Sequence, residues 1–213
     1  MPTIYNYSTQ AQVIPESVEA GIEFNTQISV NSLTGYTQTM ELPGARWNIR
    51  MNYSSLLQEE SRQLSAFLSR LRGSSGRFYL HDYSKPTTIG TASGSATLTT
   101  VVNSGVIRVT HTAGSLAVGD NIQIGTDEYR ELKIIVAASQ VSGSLYEYVI
   151  EPTLRWRPIS QYETRPVIYT NPSGTFMLKS DDQAQWASRT KIAISDMTVD
   201  CVEIFPRPSE AVF

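Results

Sequence analysis

The chain has 213 residues, with 17 Lys plus Arg against 20 Asp plus Glu and a formal charge of −3. With 40% hydrophobic and 17% charged residues it can build a core, and it lacks the basic excess of a dedicated nucleic-acid binder. One cysteine and two histidines exclude an internal disulfide framework and a Cys-cluster metal site. They leave little material for acid–base chemistry, so the composition points away from an enzyme and calls for no cofactor or metal. No apolar run approaches the ~18–20 residues of a membrane helix. The stretch Met1–Gln10 has neither the basic flank nor the apolar core of a secretory signal.

Period two dominates the chain. Phe24, Thr26, Ile28 and Val30 alternate with polar residues, as do Trp47, Ile49, Met51 and Tyr53. Such alternation predicts half-buried strands with one apolar face. A different period follows: Leu57, Leu64, Phe67, Leu68 and Leu71 share one face of a helix, expected over 55–72. Ser55 with Gln58 offers a capping box, and Gly73 offers a left-handed stop. Glu59 and Glu60 suit the N-terminal end, Arg70 and Arg72 the C-terminal end. The helix is expected to lay its leucine face on a sheet.

Further strands are predicted at Arg77–His81, Ala96–Val101, Val106–His111, Asn121–Ile124, Leu132–Val136, Tyr146–Glu151 and Pro166–Thr170. Phe176 and Leu178, and then Met197–Ile204, complete the set. The stretch between Lys85-Pro86 and the Pro152, Pro158, Pro166 cluster is rich in Ser, Thr, Gly and Val. Its strands suit a small barrel, with Ala117-Val118-Gly119-Asp120 as a tight turn. The expectation is a mainly β chain with one packed helix: a discontinuous β-sandwich or split-barrel domain, 1–84 plus 166–213, hosting an inserted β-barrel at 85–165.

Chemistry-bearing residues are sparse. His81-Asp82 lacks the further ligands of a metal hydrolase, and His111 is the only other histidine. Cys201 stands in a strand without a glycine-rich elbow, and reads as a small buried hydrophobe. Glu59-Glu60 and Asp181-Asp182 could mimic a glycosidase pair but suit a helix start and a turn better. The arginines between Arg46 and Arg77 suggest a subunit interface. Trp156 and Trp186 fit a core plug, an interface anchor or a sugar platform. With Tyr129, Tyr146 and Tyr148, Trp156 is the scant aromatic material for an alternative function, a carbohydrate-binding module used in host attachment.

The order of the pieces carries a resemblance. A strand Arg46-Trp47-Asn48-Ile49-Arg50-Met51-Asn52-Tyr53 runs into a helix ending Ala66-Phe67-Leu68-Ser69-Arg70-Leu71-Arg72-Gly73. Gly76-Arg77-Phe78-Tyr79-Leu80-His81-Asp82 follows, then the barrel with Leu116–Ile124 and the exit Ile150–Arg155. Gly174-Thr175-Phe176-Met177-Leu178 and Val199–Phe205 close the chain. This arrangement resembles the distal tail proteins of long-tailed bacteriophages and prophages. The resemblance implies a hexameric ring, a virion structural component joining the tail tube protein above to the tail-tip hub protein below, with the tape measure protein as a further neighbour. It implies a place at the tail tip (the baseplate) after assembly in the host cytoplasm, no membrane insertion, and DNA passing through the lumen without specific binding. Under it, ring contacts are expected at Trp47, Arg50, Arg70 and Arg72 and around Asn31–Tyr36.

Overall fold

A computed structural model describes residues 4–10, 13–54, 56–126, 129–155, 162–184, 188–189, 192–194 and 196–204. Among them, strands β1 (Ile4–Asn6), β2 (Ser17–Val30), β3 (Thr37–Ser54), β4 (Arg77–His81), β11 (Ser173–Leu178) and β14 (Asp196–Glu203) form one six-stranded sheet. Its order is β1-β4-β11-β14-β3-β2, and only β1 and β4 run parallel. Trp47, Ile49, Met51 and Tyr53 occupy alternate positions of β3 and are all buried, as the period-two pattern demands.

The helix that follows, α2, spans Gln58–Leu71 and buries Leu64, Phe67, Leu68 and Leu71 against that face. Phe67 packs edge-on to Tyr7 at 5.3 Å and to Phe78 at 5.6 Å between ring centroids, the geometry that aromatic quadrupoles favour. Tyr7 belongs to a single helical turn, α1 (Tyr7–Gln10). The helix begins later than the sequence suggests. Glu60 accepts the Leu57 backbone N–H at 2.9 Å, so the reciprocal half of a capping box comes from Glu60 and not from Gln58. Ser55, the expected cap, lies outside the described residues. The stop also begins one residue early, because Arg72 already takes the left-handed conformation at φ 53° before Gly73 at φ 70°.

The second sheet contains β5 (Ser93–Asn103), β6 (Val106–Ala113), β7 (Asn121–Ile124), β8 (Glu131–Ser142), β9 (Leu145–Glu151) and β10 (Val167–Ile168). Its order is β10-β7-β8-β9-β6-β5, all antiparallel. A bridge between Thr97 and Pro166 joins β5 to the start of β10, flanked by Leu98 N–H to Arg165 C=O at 2.9 Å and Thr164 N–H to Leu98 C=O at 2.8 Å. The sheet therefore closes almost completely, which leaves few open edges. Leu98, Ile107, Val109, Ile122, Ile124 and Ile150 fill it. Asp120, at the expected Ala117–Asp120 turn, accepts N–H bonds from Ala117 at 2.8 Å, Ile89 at 2.6 Å and Gly90 at 3.1 Å. One departure from the expected boundary is clear: Val167 and Ile168 pair with β7, so the barrel strands extend past 165. A two-stranded ribbon, β12 (Ser188–Arg189) with β13 (Ile192–Ile194), lies between β11 and β14 in the chain.

Candidate assembly interface

β2 and β3 form one long antiparallel hairpin, paired from Ser17↔Asn52 to Val30↔Thr37. Its turn is built locally. The Asn31 side-chain oxygen accepts N–H bonds from Leu33 at 2.9 Å and Thr34 at 3.3 Å, while Gly35 supplies a φ of 72°. The root of the hairpin is part of the sheet, since β14 pairs with β3 from Asn48 to Ser54. At Glu23/Asn25 the register shifts, opposite Pro43-Gly44. Such an irregularity bends a ribbon. Beyond it, six further pairs run from Asn25↔Leu42 to Val30↔Thr37. At ~3.4 Å per residue this outer arm projects roughly 17–20 Å.

The arm is anomalous in three respects. Every residue from 23 to 41 is exposed. No charged residue occurs between Phe24 and Met40. Among the described residues neither of its edges is paired with a third strand. Its exposed apolar side chains are large: Phe24 53%, Ile28 64%, Leu33 94% and Tyr36 79%. Natural edge strands are guarded by Lys, Pro or inward charges, and two-stranded hairpins alone are marginal in water. The alternating Phe24, Thr26, Ile28, Val30 face, expected to be half-buried, is thus in solvent within the single chain.

The four expected ring-contact side chains do not form one patch. Trp47 is 3% exposed, and its indole N–H donates to the Leu132 carbonyl of β8 at 2.8 Å. It joins the sheet to the barrel inside the chain and is not presented to a neighbour. Arg50 alternates with buried Ile49 and Met51, so it lies on the sheet face away from α2. There Arg50 Nε donates to Asp200 Oδ1 at 2.7 Å, with Glu19 3.9 Å from its guanidinium. Arg70 lies over the Tyr5 ring, 4.6 Å from its centroid, and Arg72 is exposed at the helix end. Asn31–Tyr36 is the arm's tip. The signal in the sequence that marks the arm is the absence of charge from Phe24 to Met40, not arginine content.

The outer arm also meets the barrel electrostatically, through Glu41 opposite Thr26. Burial, and then the nearby Glu41 carboxylate, raise the Glu151 carboxyl above its ordinary range, against the pull of Lys133.

The remaining candidates serve packing or turns. Asp82 is buried and accepts N–H and O–H bonds from Ser84 and an amide bond from Asn121. The His81 ring lies 3.9 Å from that of Tyr83, tilted by 41°, and burial lowers its affinity for a proton. His111 is buried, with Nε2 2.9 Å from the Tyr148 hydroxyl, and burial lowers it likewise. Cys201 is fully buried, which pushes its thiol far above the usual range. Asp181 accepts N–H and O–H bonds from Ser74, which hold its carboxyl below the ordinary value. Asp182 accepts from Ser180. Tyr148 is wholly buried, Tyr146 stacks on it, and Tyr129 is half-buried. Trp156 and Trp186 lie outside the described residues. Among the described residues no three His, Cys, Asp or Glu groups are placed to hold a metal ion. No described helix is long and apolar enough to cross a membrane.

No protein-family model matches this chain, and no curated protein matches it either.

Proposed function

We propose that this chain is a structural ring subunit, a distal tail protein at the tail tip of a long-tailed phage, whose copies join through the β2–β3 arm. The observation that carries the reading is the arm's apolar, doubly open outer half, which carries no charge from Phe24 to Met40. Burying a side chain such as Phe, Ile or Val contributes ~1.5–3 kcal/mol. Phe24, Ile28 and Val30 forgo that contribution unless another chain covers them. A protruding arm on one side of a subunit gives a heterologous contact, and such contacts close into a ring when the rotation between copies divides the circle. The order of sequence motifs supports the phage assignment, with the tail tube and tail-tip hub proteins as neighbours, and the tape measure protein beside them. An arm without cations also suits a passage for DNA, because phosphates find nothing to hold them. In this reading the chain assembles in the bacterial cytoplasm and ends in the virion.

The test is the solution mass of the purified chain by light scattering, with negative-stain images, alone and mixed with tail-tube rings. The wild type should give rings whose mass is a multiple of 23.6 kDa. The variant Phe24→Ser/Ile28→Ser/Val30→Ser should keep its circular dichroism spectrum and remain a monomer. A wild type that stays monomeric in both settings, or a triple variant that assembles like the wild type, overturns the reading.

A further inference from the structure

The barrel and the six-stranded sheet meet at one peptide. Leu132 belongs to β8 of the barrel, yet its side chain is buried in the core of the six-stranded sheet. β9 pairs with β8 only from Ile134 onward. At Leu132 the six-stranded sheet takes over. The Leu132 N–H donates to Glu203 Oε1 at 3.2 Å, and the Leu132 carbonyl accepts the Trp47 indole N–H at 2.8 Å. The other Glu203 oxygen accepts the Trp47 backbone N–H at 3.3 Å. One carboxylate on β14 thereby ties together β14, β3 and the barrel. It is 1% exposed.

The charges around this carboxylate are buried with it. On β8, Glu131 and Lys133 have wholly buried side chains and form an ion pair at 2.6 Å. Lys133 also donates to the Thr153 carbonyl at 3.1 Å, and the Tyr162 hydroxyl donates to Glu131. Arg155, on the segment after β9, adds a second cation, with Arg46 of β3 acting on it from further out. From β11, Gly174 lies against the Glu203 carboxylate and Phe176 pairs with Glu203, and neither titrates. A buried charge is costly unless it is paired, and here Glu131 and Glu203 share Lys133 and Arg155 at a contact between two sheets, with the Glu151 carboxylate also acting on Lys133. Neutralising one carboxylate changes that balance at the contact itself.

We infer that this junction is a proton-linked clasp, in which the charge on Glu203 sets how firmly the barrel is held on the sheet. Burial raises the Glu203 carboxyl from its ordinary 4.5 to about 7, opposed by Lys133 and Arg155, with Glu131 pushing the same way as burial. The closed clasp therefore keeps a proton that an opened, hydrated one releases. Below pH 4.5 both forms are protonated, and above about pH 7 both are ionised. Between these limits opening releases one proton, so closure weakens by up to about tenfold per pH unit as pH rises. The clasp is firmest in acid and levels off above neutrality.

Amide hydrogen exchange on the full chain tests this, read as protection factors from pH 5 to 8, so that intrinsic exchange rates divide out. Protection at the Leu132 and Trp47 amides should fall by up to about tenfold per pH unit toward pH 7 and then flatten. The Ile107 amide, deep in the barrel, should not follow. Glu203→Gln keeps an acceptor oxygen and cannot titrate, so it should abolish the slope. Trp47→Phe should lower Leu132 protection at every pH and keep the slope, which provides a second readout if Glu203→Gln folds poorly. A flat wild-type profile, a wild-type slope in Glu203→Gln, or loss of the slope in Trp47→Phe would overturn the inference.

Discussion

In the root of the β2–β3 hairpin, Val18, Ala20 and Ile22 alternate with Glu19, Gly21 and Glu23, and pack against the core of the six-stranded sheet. In the outer half Phe24, Thr26, Ile28 and Val30 continue the same period, and all of them are exposed. The two halves share strand type, pairing partner and side-chain pattern. They differ in what lies opposite. The root has α2 and β14 as neighbours, and the arm has no third strand among the described residues. The comparison teaches that period two encodes the capacity for burial, while burial itself needs a cover. Where the chain supplies no cover, the pattern leaves an apolar face in water, which is the basis of the proposed assembly contact.

Three substitutions would break or sharpen this contrast. Ile49 is wholly buried at the root, so Ile49→Ala should cost ~2–5 kcal/mol in urea unfolding of the isolated chain. A cost below ~1 kcal/mol would mean that the root is no better packed than the arm. Trp47→Phe keeps most of the buried ring but removes the indole donor and leaves the Leu132 carbonyl unpaired. It should cost ~1–3 kcal/mol by the same measurement. Ile28→Ala lies beyond the bend, and should change the stability of the isolated chain by no more than about 0.5 kcal/mol. The same substitution should weaken self-association measured by sedimentation. If Ile28→Ala instead unfolds the isolated chain, the arm is stabilised within the chain and the contrast fails.

Several elements were legible because their causes are local. β4 and β7 begin and end at Arg77–His81 and Asn121–Ile124, as the strand-forming runs and their turn residues indicate. α2 buries four of the five residues expected on its apolar face, Leu64, Phe67, Leu68 and Leu71, while the fifth, Leu57, precedes the helix as its N-cap and is exposed. The start of that helix is ambiguous in sequence, because a glutamate reaching back to Leu57 gives the same spacing as Ser55 with Gln58 two residues earlier. β8 runs on to Ser142 through exposed residues, held by its backbone ladder to β9, so its hydrophobic pattern could not reveal its length. The candidate site was legible only at Asn31–Tyr36. Arginine content drew attention to Arg50, Arg70 and Arg72, which lie on different surfaces, and to their neighbour Trp47, which is interior.

The sequence by itself determined a mainly β chain with one amphipathic helix, its turns, and the faces along each strand able to be buried. These follow from side-chain period and backbone preference over a few residues. Only the tertiary structure decided which faces found a cover. It left Phe24, Ile28 and Val30 in water and drew Glu131, Lys133 and Glu203 out of it. In sequence, Glu131-Leu132-Lys133 reads as one buried residue between two solvated ones. In the fold the barrel interior claims one side of β8 and the six-stranded sheet claims the other, so both faces are buried. Burial depends on contacts between residues far apart in the chain, such as Trp47, Leu132 and Glu203, and no local pattern records them.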